Sequence, residues 1–228
     1  MRYPLRLILL ASVALVLLGC NVTPPALPLP AGNTPLPAGT LAYDAPVSLT
    51  IKTGATLPGT ALAYNGKTDT GQARVMIAGQ LAPKQTADSV DWQGSPAPNV
   101  NVKLATRVAT FDDKAVTLVG TARIEITSVS LQAGGTPAPA QLEFSAPVSY
   151  NLKPKDFVPG TTLAYIGSTA NGAQFSGVEG IPYRKELDSL QYVGRLSGKV
   201  FVRFDLRVVS FSESGAVLGG TAKITIEQ

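Results

Sequence analysis

Two charged residues recur at matched places in this chain and are the first candidates for chemistry: Asp88 returns as Asp188, and Arg107 as Arg207, each 100 positions on. A carboxylate and a guanidinium used twice could recognise a charged or polar ligand. The structural alternative is an ion pair between neighbouring strands, or plain solvated side chains, because Arg107 and Arg207 fall on the polar face of an alternating segment. The structural reading is preferred. Trp92 and Tyr192 also match, and with Tyr64 and Tyr165 they offer flat rings that could stack on a sugar or an apolar ligand. Such rings more commonly fill β-cores with their polar tips at the rim. No two acids recur as a pair: Asp112-Asp113 of the first copy becomes Ser212-Glu213 in the second. That weakens a two-carboxylate hydrolytic centre, which needs acids facing each other about 5 to 9.5 Å apart.

Histidine is absent and cysteine occurs once, at Cys20. Nucleophile systems that move a proton through an imidazole are therefore excluded, and so are zinc sites built from His and Cys. A lone cysteine forms no intrachain disulfide, so apolar burial must hold the fold. Neither G-x-G-x-x-G nor a P-loop occurs, and Thr68-Asp69-Thr70-Gly71 is too sparse in acids for a calcium loop. No metal and no cofactor is expected. If Arg2 and Arg6 lie in a removed leader, 17 of the 19 basic residues face 15 acids. A charge near +2, spread singly along the chain, predicts no nucleic-acid surface.

These candidates are carried by a duplicated module. Val102, Arg107, Val108, Phe111, Leu118, Gly120, Thr121, Ala122, Ile124 and Ile126 all reappear 100 positions later. In both copies apolar residues alternate with polar ones: Ala122, Ile124 and Ile126 against Thr121, Arg123 and Glu125, then Ala222, Ile224 and Ile226 against Thr221, Lys223 and Thr225. Period two is the mark of a half-buried strand, and two such runs around a polar tip predict a hairpin. Upstream, Ala45-Pro46-Val47-Ser48 matches Ala146-Pro147-Val148-Ser149, and Pro58-Gly59-Thr60 matches Pro159-Gly160-Thr161. With 18 prolines and 22 glycines in 228 residues, the pattern predicts an all-β chain of short strands and turns. The expected architecture is two tandem, related antiparallel β-sandwich or small β-barrel modules, residues 45–131 and 146–228, joined by a Gly/Pro-rich linker, 132–145. Pairing of the two copies into one closed barrel of about twelve strands is the alternative.

Residues 1–20 carry two arginines, an apolar run from Leu7 to Leu18, and then Gly19-Cys20. The run is shorter than the roughly 20 residues that span a bilayer but suits a secretory leader. Leu17-Leu18-Gly19-Cys20 resembles the lipobox of bacterial lipoproteins. The resemblance implies cleavage after residue 19, acylation of Cys20 (palmitate or a similar chain), and attachment to the cell membrane or outer membrane with the globular part outside the cytoplasm. Asn21, rather than Asp, resembles the outer-membrane class. More than one acyl chain would make the attachment stable. Residues 20–44 then form a spacer: Val22 to Gly39 holds six prolines in eighteen residues. Proline fixes φ and removes donors, so an extended rod is expected, reaching roughly 55 Å at about 3.1 Å per residue.

The expected function is that of a non-enzymatic, lipid-anchored envelope protein whose duplicated modules bind or assemble an envelope partner. Arg107, Arg207, Asp88, Asp188, Trp92 and Tyr192 are its candidate contacts. The alternatives are a carrier holding a lipid or small apolar ligand in a barrel cavity, and a carboxylate-dependent hydrolase of envelope glycan.

Overall fold

The computed structural model describes residues 39–227, and every regular element within them is a β-strand. The first copy comprises β1 (Leu41–Lys52), β2 (Ala55–Thr56), β3 (Leu62–Lys67), β4 (Ala73–Ile77), β5 (Gln80–Lys84), β6 (Ser89–Ala97), β7 (Val100–Phe111) and β8 (Ala115–Ile126). A large sheet runs β1-β8-β7-β6, and a small one runs β2-β3-β4-β5. The second copy comprises β9 (Gln132–Ala133), β10 (Ala140–Leu152), β11 (Ala164–Thr169), β12 (Gly172–Ser176), β13 (Tyr183–Arg184), β14 (Ser189–Ser197), β15 (Val200–Ser212) and β16 (Gly215–Glu227). Its large sheet runs β10-β16-β15-β14-β9 and its small one β11-β12-β13. The fold is all-β, its strand pairs are antiparallel, and no sheet closes into a barrel.

Alternation places the side chains. In β7, Val100, Val102, Leu104, Thr106 and Val108 are buried while Lys103, Ala105 and Arg107 are exposed. Thr106 is the polar member of that row, and its hydroxyl donates to the Val90 carbonyl. At the equivalent place the second copy has Leu206 and no hydroxyl to satisfy. The recurring glycines of β8 and β16 have a steric reason. A Cβ on Gly120 would lie 2.1 Å from the Ala105 carbonyl oxygen, and one on Gly220 2.2 Å from that of Asp205. Only a residue without a side chain lets the central strand approach its neighbour so closely.

Tyr64 and Tyr165 are fully buried, and each phenol reaches the tip of its own β-hairpin: Tyr64 donates to the Asp112 carbonyl, Tyr165 to that of Ser212 at 2.6 Å. The rings thus pin each small sheet to the long hairpin of its large sheet, which accounts for their recurrence. Burial raises both phenols above their ordinary range.

The inward faces of the two large sheets meet in one core. The Tyr43 ring of β1 lies 6.4 Å from Phe204 of β15, and Tyr192 approaches the same ring at 6.3 Å. Each Pro-Gly-Thr turn also reaches across. The space beside Gly59 is filled by Pro96 and by Gln141 of β10, and that beside Gly160 by Leu196 and by Leu41 and Tyr43 of β1. Residues 39–227 therefore pack as one unit around a continuous interior. The strands also begin earlier than the expected module starts: β1 opens at Leu41 and β10 at Ala140, and β9 falls inside the expected linker.

Candidate binding surface

The recurring acid and base meet at the same turn in each copy, but each of them holds backbone. Asp88 accepts from the Gln85 N–H at 2.7 Å, and Arg107 donates to the Ala87 carbonyl at 2.8 Å. In the second copy Asp188 accepts from the Lys185 N–H at 2.7 Å, and Arg207 donates to the Leu187 carbonyl at 3.1 Å. The residue gripped between them has a positive φ, 72° at Ala87 and 69° at Leu187. Non-glycine residues enter that region at a cost, so the turn needs support from both sides. The pair is a clamp on a strained turn leading into β6 or β14. Arg107→Met or Arg207→Met is accordingly expected to lower the denaturation midpoint slightly, by less than about 1 kcal/mol for so exposed a side chain.

Trp92 and Tyr192 lie over the glycine two residues along their own strand. A Cβ on Gly94 would meet the Trp92 ring at 2.4 Å, and one on Gly194 the Tyr192 hydroxyl at 2.8 Å. The repeated aromatic and the repeated glycine are one device, a ring folded down to cover bare backbone. The copies differ in what happens next. Tyr192 is buried and lies beside the linker strand β9, whereas Trp92 remains half-exposed.

Other acids are also engaged. Asp112 accepts from the N–H groups of Ala115 and Lys114, which hold its carboxyl below the usual range, and Asp113 pairs with Lys67 at 3.1 Å. Among the described residues, no three His, Cys, Asp or Glu side chains converge as metal ligands would. Cys20 lies outside them.

Three clefts open to solvent on the second copy, with volumes of about 350, 410 and 490 Å³. The one of about 410 Å³ lies between the linker at Ala133 and Gly134, the loop at Gly177 to Glu179, and β14 at Gln191 to Val193. Arg184 lines it but is tied down, donating to the carbonyls of Ser189, Tyr183 and Ile181. No family model, curated protein or solved structure matches this chain.

Among the described residues, six of the nine large apolar side chains left in solvent belong to the second copy, Phe157, Ile166, Ile181, Leu187, Val193 and Val209; the others are Leu81, Val119 and Leu131. At five of those six positions the first copy has a polar or small residue, namely Thr56, Asn65, Ala87, Gln93 and Ala109; at the sixth, Leu81 is the counterpart of Ile181. Phe157 and Ile181 keep 61% and 71% of their surface in solvent, so burial accounts for the smaller part of each side chain. Sequence reasoning missed these residues because alternation marks a position as outward without saying what belongs there. Comparing the copies position by position is the signal that finds them.

The structure also reveals a buried ion pair that the sequence did not advertise. Glu227 is 5% exposed and bonds Arg195, whose guanidinium also donates to the Thr136 carbonyl at 3.2 Å and lies 5.8 Å from the Phe201 ring. The Ala138 N–H donates to the other oxygen of Glu227 at 2.7 Å. Bonds from Arg195 and this N–H hold the Glu227 carboxyl below its ordinary range. The pair fastens the linker across the end of the second large sheet.

Proposed function

We propose that this is a non-enzymatic, lipid-anchored protein of the cell envelope, attached through Cys20 and held outside the cytoplasm, whose second repeat presents an apolar surface to an envelope protein partner. The observation that carries the reading is the asymmetry between the copies. Both keep the residues the fold needs; the second places Phe157, Ile166, Leu187, Val193 and Val209 where the first has outward polar or small residues, and among the described residues the reverse exchange is Val119 against Gly219. Large apolar side chains kept in solvent serve as binding anchors, and a few of them commonly dominate binding. The charged residues kept in both copies support a non-enzymatic role, since Asp88, Asp188, Arg107 and Arg207 are occupied by backbone.

Two measurements test this. Labelled palmitate is expected on the wild-type protein and absent from Cys20→Ser, which should leave the membrane fraction. Affinity capture from detergent-solubilised envelopes is expected to recover a stoichiometric protein with the wild type and with Arg207→Met. A Phe157→Ser, Val209→Ser variant should recover it at least about tenfold less well, the size expected when apolar anchors of an interface are removed. Recovery of free monomer alone would refute the binding role, whatever the labelling result.

A further inference from the structure

The cleft of about 490 Å³ on the second copy lies between β10 at Ser149 to Leu152 and the loop at Asp156 to Pro159. The first copy has the same backbone there. Its Gly54 N–H donates to the Tyr64 carbonyl and its Leu57 N–H to that of Leu62, as Lys155 does to Tyr165 and Val158 to Leu163 in the second. Gly54 and Lys155 also share a φ, 76° and 74°. The two loops therefore match residue by residue at an offset of 101, and four neighbours around the cleft change between them. Leu49, Thr50, Ala55 and Thr56 become Tyr150, Asn151, Asp156 and Phe157. Two aromatic rings, an amide and a carboxylate stand where the first copy has aliphatic residues and threonines.

The fold does not account for this joint exchange. Phe157 bridges Ala164 through its backbone just as Thr56 pairs with Ala63, yet most of its ring is in solvent. Thr50 has the Thr117 hydroxyl 3.4 Å away, whereas Asn151 stands opposite Val217. Asn151 and Ser149 are exposed, and neither side chain hydrogen-bonds to another described residue. Asp156 accepts from the Lys153 N–H at 2.9 Å with one oxygen, and its other oxygen has no partner among the described residues. Tyr150 is the anchored member, its ring edge-on to Phe204 with the centroids 6.4 Å apart. No lysine or arginine lines the cleft.

We propose that this cleft binds a neutral saccharide of β-linked pyranose units, stacked on Phe157 and hydrogen-bonded by Asn151, Asp156 and Ser149. A pyranose with equatorial hydroxyls has a flat face of C–H groups and a rim of hydroxyls. An exposed aromatic ring covers such a face, and the rim needs donors and acceptors side by side. Asn151 supplies both, Asp156 accepts, and the Ser149 hydroxyl does either. The missing cation favours a neutral ligand over a phosphate or a uronate. The volume falls in the range of small-molecule sites, about 300 to 1,000 Å³. The saccharide site shares Phe157 with the proposed partner surface, but Asn151 and Asp156 belong to it alone, so the two readings stand or fall separately.

NMR titration of the full chain, held in a detergent without sugar, tests the proposal with two probes. The N-acetylglucosamine trimer stands for a glycan of the envelope, and cellotriose for one met outside it. At least one is expected to bind, with its ring C–H protons shifted upfield by the aromatic ring beneath them. Asn151→Thr, Phe157→Thr restores the residues of the first copy, so folding is kept, and should weaken binding at least about tenfold. Asn151→Thr alone should weaken it about fivefold, the loss of one hydrogen bond, and leave capture of a protein partner unchanged. Val193→Gln, which restores Gln93 at the cleft beside β9, should leave saccharide binding unchanged. Failure of both saccharides to bind, or equal binding by the wild type and the double variant, would overturn the proposal whether or not a protein partner is captured.

Discussion

Gly120→Ala and Gly220→Ala are each expected to cost roughly 3 kcal/mol or more, enough to prevent accumulation of folded protein if its stability is ordinary. The added methyl meets main chain, with Thr106 Cα at 2.7 Å from the new Cβ of residue 120 and Leu206 Cα at 2.8 Å from that of residue 220, in addition to the carbonyl oxygens. A flexible side chain could swing aside, but a central strand moves only by breaking its ladder on both sides. Gly120 opposes Thr106 on β7 and Val47 on β1, so a shift in β8 is felt across the sheet. Urea denaturation against Gly198→Ala provides the measurement. Nothing lies within 4 Å of a Cβ at residue 198, and that exposed substitution should stay within about 0.5 kcal/mol of wild type. Equal midpoints for Gly120→Ala and Gly198→Ala would refute the close-approach explanation.

Arg195→Met is expected to destabilise by about 2 to 3 kcal/mol at neutral pH, because it leaves the buried Glu227 carboxylate with only the Ala138 N–H and the charge of Lys199. The value lies at or below the range for fully buried pairs because Arg195 keeps 25% of its side chain in solvent. The sign of the pH effect follows from the direction of the Glu227 shift. Its carboxyl is lowered in the folded state, so its contribution is complete above the ordinary carboxylate range. That contribution is lost as pH falls through the ordinary range and on through the lowered folded value. In Arg195→Met the largest of the influences that lower the carboxyl is gone while Lys199 and the Ala138 N–H remain, and acid relieves the buried charge, so the gap between variant and wild type should narrow below about pH 4. Denaturation midpoints at several pH values test this, and Glu227→Gln should flatten the difference. A gap that stays constant from neutral to acid pH would show that the packing of Arg195, not its charge, carries the effect.

Within the described residues, the local character of the chain was legible from its residues. Alternation in Ala122-Ile124-Ile126 and its repeat identified the strands, and the matched Pro-Gly-Thr turns identified the duplication, because strand periodicity and turn chemistry are properties of neighbouring residues. The meaning of the recurring Asp88, Arg107, Trp92 and Gly94 was not legible. Arg107 is explained by the Ala87 carbonyl 20 residues before it, Trp92 and Gly94 by a ring folding onto bare backbone, and Asp88 by the Gln85 N–H of the turn that Arg107 also holds. Glu227 makes the same point more sharply. By alternation it belongs on the solvent side of β16, and it is buried only because the linker at Thr136 to Ala138 crosses over it.

The sequence by itself determined the strands, their inward and outward faces, the twofold repetition, and the exclusion of imidazole and thiol chemistry from residues 39–227. Only the tertiary structure decided that the two repeats bury their large sheets against each other, that the linker becomes an edge strand on one copy, and that apolar side chains such as Phe157 and Val209 stay in solvent. Periodicity tells a side chain which way to point, and what it meets there depends on parts of the chain that come together only on folding.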